Sequence, residues 1–432
     1  MAGLTVAQKI LSAHGLEDLT PGSFGLARVD LVMMNEVSGA PAIRAFERMG
    51  ADRVFDPERV ALVADHFVPA KDARSAELVA GLRAFARRYG ISKYWEVGTT
   101  PDAGIEHTLL PEQGLIRPGD LIPGGDSHTC TYGAFGAFGA GMGSTDIASA
   151  LALGEVWIKV PESVRVEFKG DAGPYVTGKD LILAYIRAAG VAGATYAALE
   201  FTGPAVRALD IDGRMALCNM AVEAGAKTGI VAADEVTLDW LRGKVPADRL
   251  EPVTADPDAR YDREVVVDVD GMTAQVAQPP SPDNVVDVTE IEPGVRVDQV
   301  YVGNCANGTI SDLRQLAAML KGRRVASHTR LIVVPATQAV YRQALKEGIV
   351  ETVLEAGGMM SPPTCGACFG GHMGILGPGE TAVATTNRNF RGRMGHRDSR
   401  VFLANAYVAG AAAVAGEIVD PATVAEPVGA QS

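Results

Sequence analysis

The chain has 432 residues, 47% of them hydrophobic and 21% charged. That is ordinary globular usage, which excludes a disordered protein and allows about two to four domains with real cores. Lys and Arg number 39 against 52 Asp and Glu, and the resulting formal charge of -13 argues against nucleic acid or an anionic membrane as the main partner.

Short apolar strands alternate with amphipathic helices, the pattern of α/β layers. Met1–Gly15 has no basic start, long apolar run and cleavage site, so no export signal is expected. Val60–Val63 reads as a strand ending at Asp65–His66, and Ser75–Tyr89 follows with apolar residues at helical spacing. Leu121–Gly125 leads into the polar turn Asp126–Cys130. A Gly-rich loop, Gly133–Gly143, then opens a helix over Ser144–Val156. Pro161 marks a first boundary, and Val164–Phe168 begins a new alternating strand. The Asp- and Pro-rich segment Asp256–Val285 holds one strand-like run, Glu264–Val269, and reads as a domain edge and linker. Strand Gln299–Val302, a turn at Cys305, helix Ser311–Leu320 and strand Arg330–Val334 come next. Helices over Ala339–Lys346 and Ile349–Ala356 lead to a loop with Cys365 and Cys368. The longest uncharged apolar stretch, Val401–Gly416, falls short of the ~20 residues of a membrane span. Three α/β domains are expected, over residues 1–160, 161–284 and 285–432, in a soluble cytoplasmic protein with reduced thiols.

Cys365 and Cys368 form a C-x-x-C pair flanked by Pro362–Pro363 and Gly370–Gly371. Such a pair can bring two thiolates to one metal, act as a redox dithiol, or stay inert. The glycines at 370, 371, 374 and 377 argue against the helix that a thioredoxin-like dithiol opens. Cys305 sits where a strand end meets a helix start, which favours a thiolate and supports metal binding. The alternative for a lone Cys is a small buried hydrophobe. Spacing leaves open whether the metal is a closed zinc site, completed by Cys130, Cys218 or a His, or an iron–sulfur cluster with one iron free.

Asp65-His66, Glu106-His107 and Asp126-Ser127-His128 pair carboxylates with imidazoles at element ends, as acid–base catalysis requires. Each alone is more simply a satisfied structural His. Three of the chain's 7 His concentrated in polar turns of one third of it favour function. Arg388 and Arg393 flank a Gly-containing turn and suit bidentate binding of dicarboxylates, with a solvated basic loop as the plain alternative. The Gly133–Gly143 run lacks a full G-x-G-x-x-G, so a dinucleotide site is weakly supported.

Five segments, taken together, resemble the aconitase superfamily: GGDSHTCTYGAFGAFGAGMGSTD (124–146), CNMAVEAGAKTG (218–229), VGNCANGTISDLR (302–314), CGACFGGHMGILGPGE (365–380) and TNRNFRGRMG (386–395). They run in family order and are most similar to the separately encoded large subunits of 3-isopropylmalate dehydratases and their homoaconitase and methylmalate-type relatives. The resemblance implies three α/β domains around a 4Fe–4S cluster held by Cys305, Cys365 and Cys368, with the fourth iron open as a Lewis acid. Cys130 and Cys218 match no family ligand. It further implies Asp65-His66 and His107 with Asp126 as polarised pairs near the leaving hydroxyl, and Ser127 and His128 in the substrate pocket. Glu223 would contact the hydroxyl or water on the open iron. Asn219 and Asn387 would hydrogen-bond around the cluster, and Arg388 and Arg393 would hold substrate carboxylates.

The expected reaction is hydro-lyase isomerisation of 2- and 3-isopropylmalate through isopropylmaleate, in leucine biosynthesis. The alternatives are the same chemistry on homocitrate/homoaconitate or a methylmalate/dimethylmalate and, from another class, a non-catalytic Fe–S or zinc protein. Full-length relatives carry a mobile C-terminal domain that supplies a serine base and further arginines. This chain has no length left for it after the Ala-rich segment 404–416, so a separately encoded small subunit is the expected partner, with a small hydroxy-dicarboxylate or tricarboxylate as substrate. Three departures from the family pattern bear on the substrate: Asn304 and Ala306 around Cys305, Asn35-Glu36, and Asn405-Ala406-Tyr407.

Overall fold

The computed structural model describes residues 3–429. The first sheet is parallel and consists of β1 (Val32–Asn35), β2 (Val60–Ala64), β3 (Tyr94–Glu96), β4 (Leu121–Gly124) and β5 (Phe138–Gly141) in the order β3-β2-β1-β4-β5. Every residue of β1, β2 and β4 is buried, because helices cover both faces. Helix Ala73–Tyr89 is one cover. Asp72 caps its start by accepting from the Ser75 amide at 2.7 Å, and Gly90 ends it in the left-handed region.

A second parallel sheet holds β6 (Ser163–Lys169), β7 (Ala198–Thr202), β8 (Thr228–Ile230) and β9 (Arg263–Asp268), ordered β8-β7-β6-β9. The third holds β10 (Gln275–Ala277), β11 (Val285–Asp287), β12 (Gln299–Gly303), β13 (Arg330–Val334), β14 (Met359–Met360), β15 (Thr381–Ala384) and β16 (Arg400–Leu403). Its order is β11-β10-β16-β15-β12-β13-β14, parallel except for the β10–β11 hairpin, which joins antiparallel. An antiparallel ribbon, Phe24–Arg28 with Glu155–Lys159, flanks the first sheet.

Several segments differ from the sequence expectation. The run Gly133–Gly143 is not all loop, since β5 lies inside it. Gly139 is wedged so closely that a Cβ would stand 2.1 Å from the Thr129 carbonyl oxygen. The helix after it stops at Leu153, where Gly154 turns into the flanking ribbon. The segment read as a linker contains β10, anchored where the Gln275 amide donates to Asp180 Oδ1 at 2.8 Å. The polar turn after β4 continues as a buried 3₁₀ helix, Ser127–Phe135. Among the described residues no helix is long and apolar enough to cross a membrane.

Strand order places the site. In the first sheet the chain adds strands on one side of β1 and then returns to its other side, so the order reverses between β1 and β4. In the third sheet it reverses between β12 and β15. Crevices outside the carboxyl ends of strands at such reversals are where open α/β sheets bind ligands. The residues leaving β1, β2, β4, β12 and β15 are Glu36, Asp65, Asp126, Cys305 and Asn387, and these two crevices meet.

Candidate active site

The meeting is made by backbone. The Cys365 amide donates to the Asp65 carbonyl at 2.8 Å, and the Thr364 hydroxyl donates to the same oxygen at 2.9 Å. A cavity of about 210 Å³ lies between the sheets. Ten of the residues singled out in the sequence line it: His66, His107, Asp126, Ser127, His128, Cys305, Cys365, Cys368, Arg388 and Arg393, beside Val37, Ile105, Glu106 and Phe369. The remaining four, Asp65, Asn219, Glu223 and Asn387, stand one layer behind and brace those that line it.

Asp65 accepts from or donates to His66 Nδ1 through Oδ1 at 2.6 Å, and its Oδ2 accepts from the Glu106 amide at 2.9 Å. His66 Nε2 lies 3.7 Å from Asp126 Oδ2. Burial alone would lower the His66 pKa, but Asp65, Glu36 and Asp126 outweigh it and raise it well above the ordinary range. His107 Nε2 lies 3.0 Å from Asp126 Oδ1. Asp126 also accepts from the His128 amide at 2.7 Å, and these partners hold its carboxyl well below the usual range despite burial. His128 Nε2 is 3.1 Å from Glu223 Oε1. Burial opposes its charge, yet Glu223 and Asp126 push its pKa up to about 9. Arg388 Nε donates to the same Glu223 oxygen at 2.7 Å, and its Nη2 donates to Ser127 Oγ at 3.2 Å.

The thiols are dressed by amides. Asn219 Nδ2 donates to Cys305 Sγ at 3.2 Å, and Asn387 Nδ2 donates to the Asn219 side-chain oxygen. Asn304 Nδ2 donates to Cys368 Sγ at 3.4 Å and to Asn387 Oδ1 at 3.0 Å. Asn304 adopts φ +90°, an uncommon conformation that Asn tolerates better than bulkier residues. The Cys365 thiol serves Cys368 as a donor; with Arg393 and His128 nearby, Cys368 is held well below the ordinary thiol range despite its burial. Cys130 and Cys218 are buried outside the cavity, and Cys130 Sγ lies 3.2 Å from the Asn219 carbonyl. Arg393 Nε is buried without a partner, so its guanidinium faces the cavity with bonding capacity unspent.

Sequence reasoning missed three residues at the site. Glu36, fully buried, accepts from the amides of Asp65 and His66 at 3.2 and 2.9 Å and from that of Phe67. Glu106 accepts from Asn35 Nδ2 at 3.1 Å, and its second oxygen has no partner. Lys179 reaches the Arg388 turn from another sheet. The first two carried a weak signal, since each is an acid directly beside a strand end or a His. Lys179 carried none.

A model of the aconitase family (aconitate hydratase) matches residues 8–295 and 290–416. The chain is 56% identical over 427 residues to the 3-isopropylmalate dehydratase large subunit 2 of Rubrobacter xylanophilus, covering 98% of this chain and 99% of that one. It is 52% identical to the 3-isopropylmalate dehydratase large subunit of Moorella thermoacetica (98% and 99% covered) and 48% identical to large subunit 1 of Pyrococcus furiosus (98% and 100% covered). With acid–histidine pairs, free thiols and arginines converging on one cavity at the reversals of two parallel sheets, this chain belongs to the aconitase family.

Proposed function

We propose that this chain is the large, cluster-bearing subunit of a cytoplasmic hydro-lyase that interconverts 2- and 3-isopropylmalate through the alkene, in leucine biosynthesis. The observation that carries the reading is the shared cavity, where soft thiol donors, proton-carrying imidazoles and an uncommitted guanidinium face one another. We further assign three α/β units, close to residues 1–160, 161–284 and 285–432, each holding the bulk of one sheet.

The donor set fits a 4Fe–4S cluster better than zinc. Sulfurs around one tetrahedral zinc stand about 3.8 Å apart, from Zn–S bonds of about 2.3 Å. The sulfurs of Cys305, Cys365 and Cys368 do not all lie within 4.8 Å of one another, and neither other cysteine reaches the cavity. Cys305, Cys365 and Cys368 would hold the cluster, which when bound supplies a Lewis acid for the substrate's hydroxyl and adjacent carboxylate. Arg393 and Arg388 bind carboxylates, and Ser127, fixed by Arg388, orients the nearer one. His107, polarised by Asp126, and His66, polarised by Asp65, hold the proton that the leaving hydroxyl takes and return it on rehydration. Glu223 keeps His128 charged and Arg388 aimed. The base for the C–H proton is assigned to a separately encoded small subunit, in keeping with the naming of the relatives as large subunits.

The test is anaerobic co-purification with that subunit, followed by a screen of 2-isopropylmalate, homocitrate and methylmalates by alkene absorbance. A brown complex that turns over 2-isopropylmalate fastest supports the reading. A colourless protein with stoichiometric zinc, or a preference for another acid, overturns the cluster or the substrate respectively.

A further inference from the structure

Lys179 is the second residue of helix Gly178–Ala189, which packs on the second sheet, and its side chain is completely buried. Among the described residues no carboxylate lies within ion-pair distance of its ammonium. Instead Nζ donates to the carbonyls of Thr385 and Thr386, at 3.0 and 2.5 Å. A methionine of similar length would fill the space without the desolvation that a buried ammonium suffers, so packing alone gives no reason for the charge.

The two acceptors point to its role. Successive carbonyls of an extended strand face opposite ways, so one ammonium can take both only where the chain has left strand geometry. That departure occurs just beyond β15, which ends at Ala384, and the backbone bends at Thr386 and Asn387. The next residues out of the bend are Asn387, which braces Asn219 beside Cys305, and Arg388, which reaches Glu223 and Ser127. The same bend is stitched to the Cys305 loop, because Thr385 Oγ1 accepts from the Gly303 amide at 2.9 Å.

The base of the lysine is itself fixed. Asp180 accepts from the Thr177 amide at 2.7 Å, from Asn405 Nδ2 at 2.8 Å and from the Gln275 amide, tying the start of the helix to the third sheet. Gly178 lies so near Gly213 that a Cβ would stand 1.9 Å from its carbonyl oxygen, so the helix cannot slide.

We propose that Lys179 is a positioning residue of the active site: its buried ammonium clamps the Thr385 and Thr386 carbonyls and so aims Arg388 at the substrate's carboxylate. It acts through that turn and does not itself touch substrate. The proposal rests on the functional reading above, in which Arg388 binds a hydroxy diacid.

The experiment uses the anaerobically purified two-subunit complex with K179M, K179Q, R388K and the K179M/R388K double variant. Visible absorbance per protein, melting temperature, kcat and KM for 2-isopropylmalate are measured together. K179M is expected to raise KM about tenfold or more while absorbance stays at the wild-type level, and K179Q, which keeps one donor, to fall between. In the double variant K179M should add less than about threefold to the KM of R388K, since both act on one contact. An unchanged KM for K179M, or effects that multiply independently of R388K, would overturn the proposal. Insolubility of both Lys179 variants, or equal loss of chromophore and stability, would make the lysine a structural strut and overturn it too. A wild-type complex that lacks both chromophore and turnover refutes the functional reading and takes the proposal with it.

Discussion

Glu36 offers a test that needs neither substrate nor cofactor. Its carboxylate is the shared acceptor for three consecutive amides, those of Asp65, His66 and Phe67, which carry the first acid–histidine pair. Replacing it with alanine leaves three donors unmatched. An unsatisfied buried donor costs about 1–3 kcal/mol. Asp65 has no exposed surface, whereas His66 and Phe67 lie nearer the cavity, so water can recover part of the loss at those two. The sum for E36A is then about 2–4 kcal/mol, or about 30- to 700-fold at 1.4 kcal/mol per decade. E36Q keeps one acceptor oxygen but turns an amide donor toward the others, and should cost about 1 kcal/mol. The assay is hydrogen exchange of the peptide spanning Asp65–Phe67, with exchange elsewhere in the first sheet as the reference. Wild-type protection of that peptide in E36A would refute the reasoning, because the carboxylate would then not be what holds the turn.

The other outcomes follow from the same geometry. R393K should lower kcat/KM about 100-fold with the chromophore intact, since Lys cannot offer the planar fork; loss of the chromophore would mean that Arg393 holds the cluster loops instead. His128, raised from 6.5 to about 9, contributes stability that is complete below about pH 6.5 and is lost as pH rises through about 9. Melting temperature should therefore fall less steeply across that window in H128Q than in wild type, and parallel curves would contradict the pairing with Glu223. C130A and C218A should each keep the visible absorbance and iron content of the wild type while C368S loses them; loss in C130A would redraw the ligand set.

The parts of the site that could be read from the sequence are those where chemistry sits at the end of a recognisable strand. Val60–Ala64 announces Asp65-His66, and Gln299–Gly303 announces Cys305, because β-branched runs mark strands whose carboxyl ends bind ligands. Phe138–Gly141 was hidden because its strand forms through close backbone approach, which only small side chains allow. Gln275–Ala277 is three residues long among Asp and Pro, and it owes its place to Asp180, nearly a hundred residues earlier (|i−j| = 95). Glu36 and Lys179 show the same limit more sharply. Each is a polar residue on a helix start whose partners come from other strand ends, 29 and 206 positions away, so no local period could reveal them. Asn304, by contrast, was noticed as a departure, and the geometry gives it work as a bridge between Cys368 and Asn387.

The backbone bond from the Cys365 amide to the Asp65 carbonyl ties a thiol loop to an acid–base pair that belongs to a different sheet. Thermal breathing between those sheets therefore has only one seam to open at this point. Opening it would admit dioxygen to the sulfurs and, in the same event, pull Asp65 out of register with Glu106. Oxidative damage and loss of proton transfer would then share a single activation barrier, and anything that tightens the seam should protect against both.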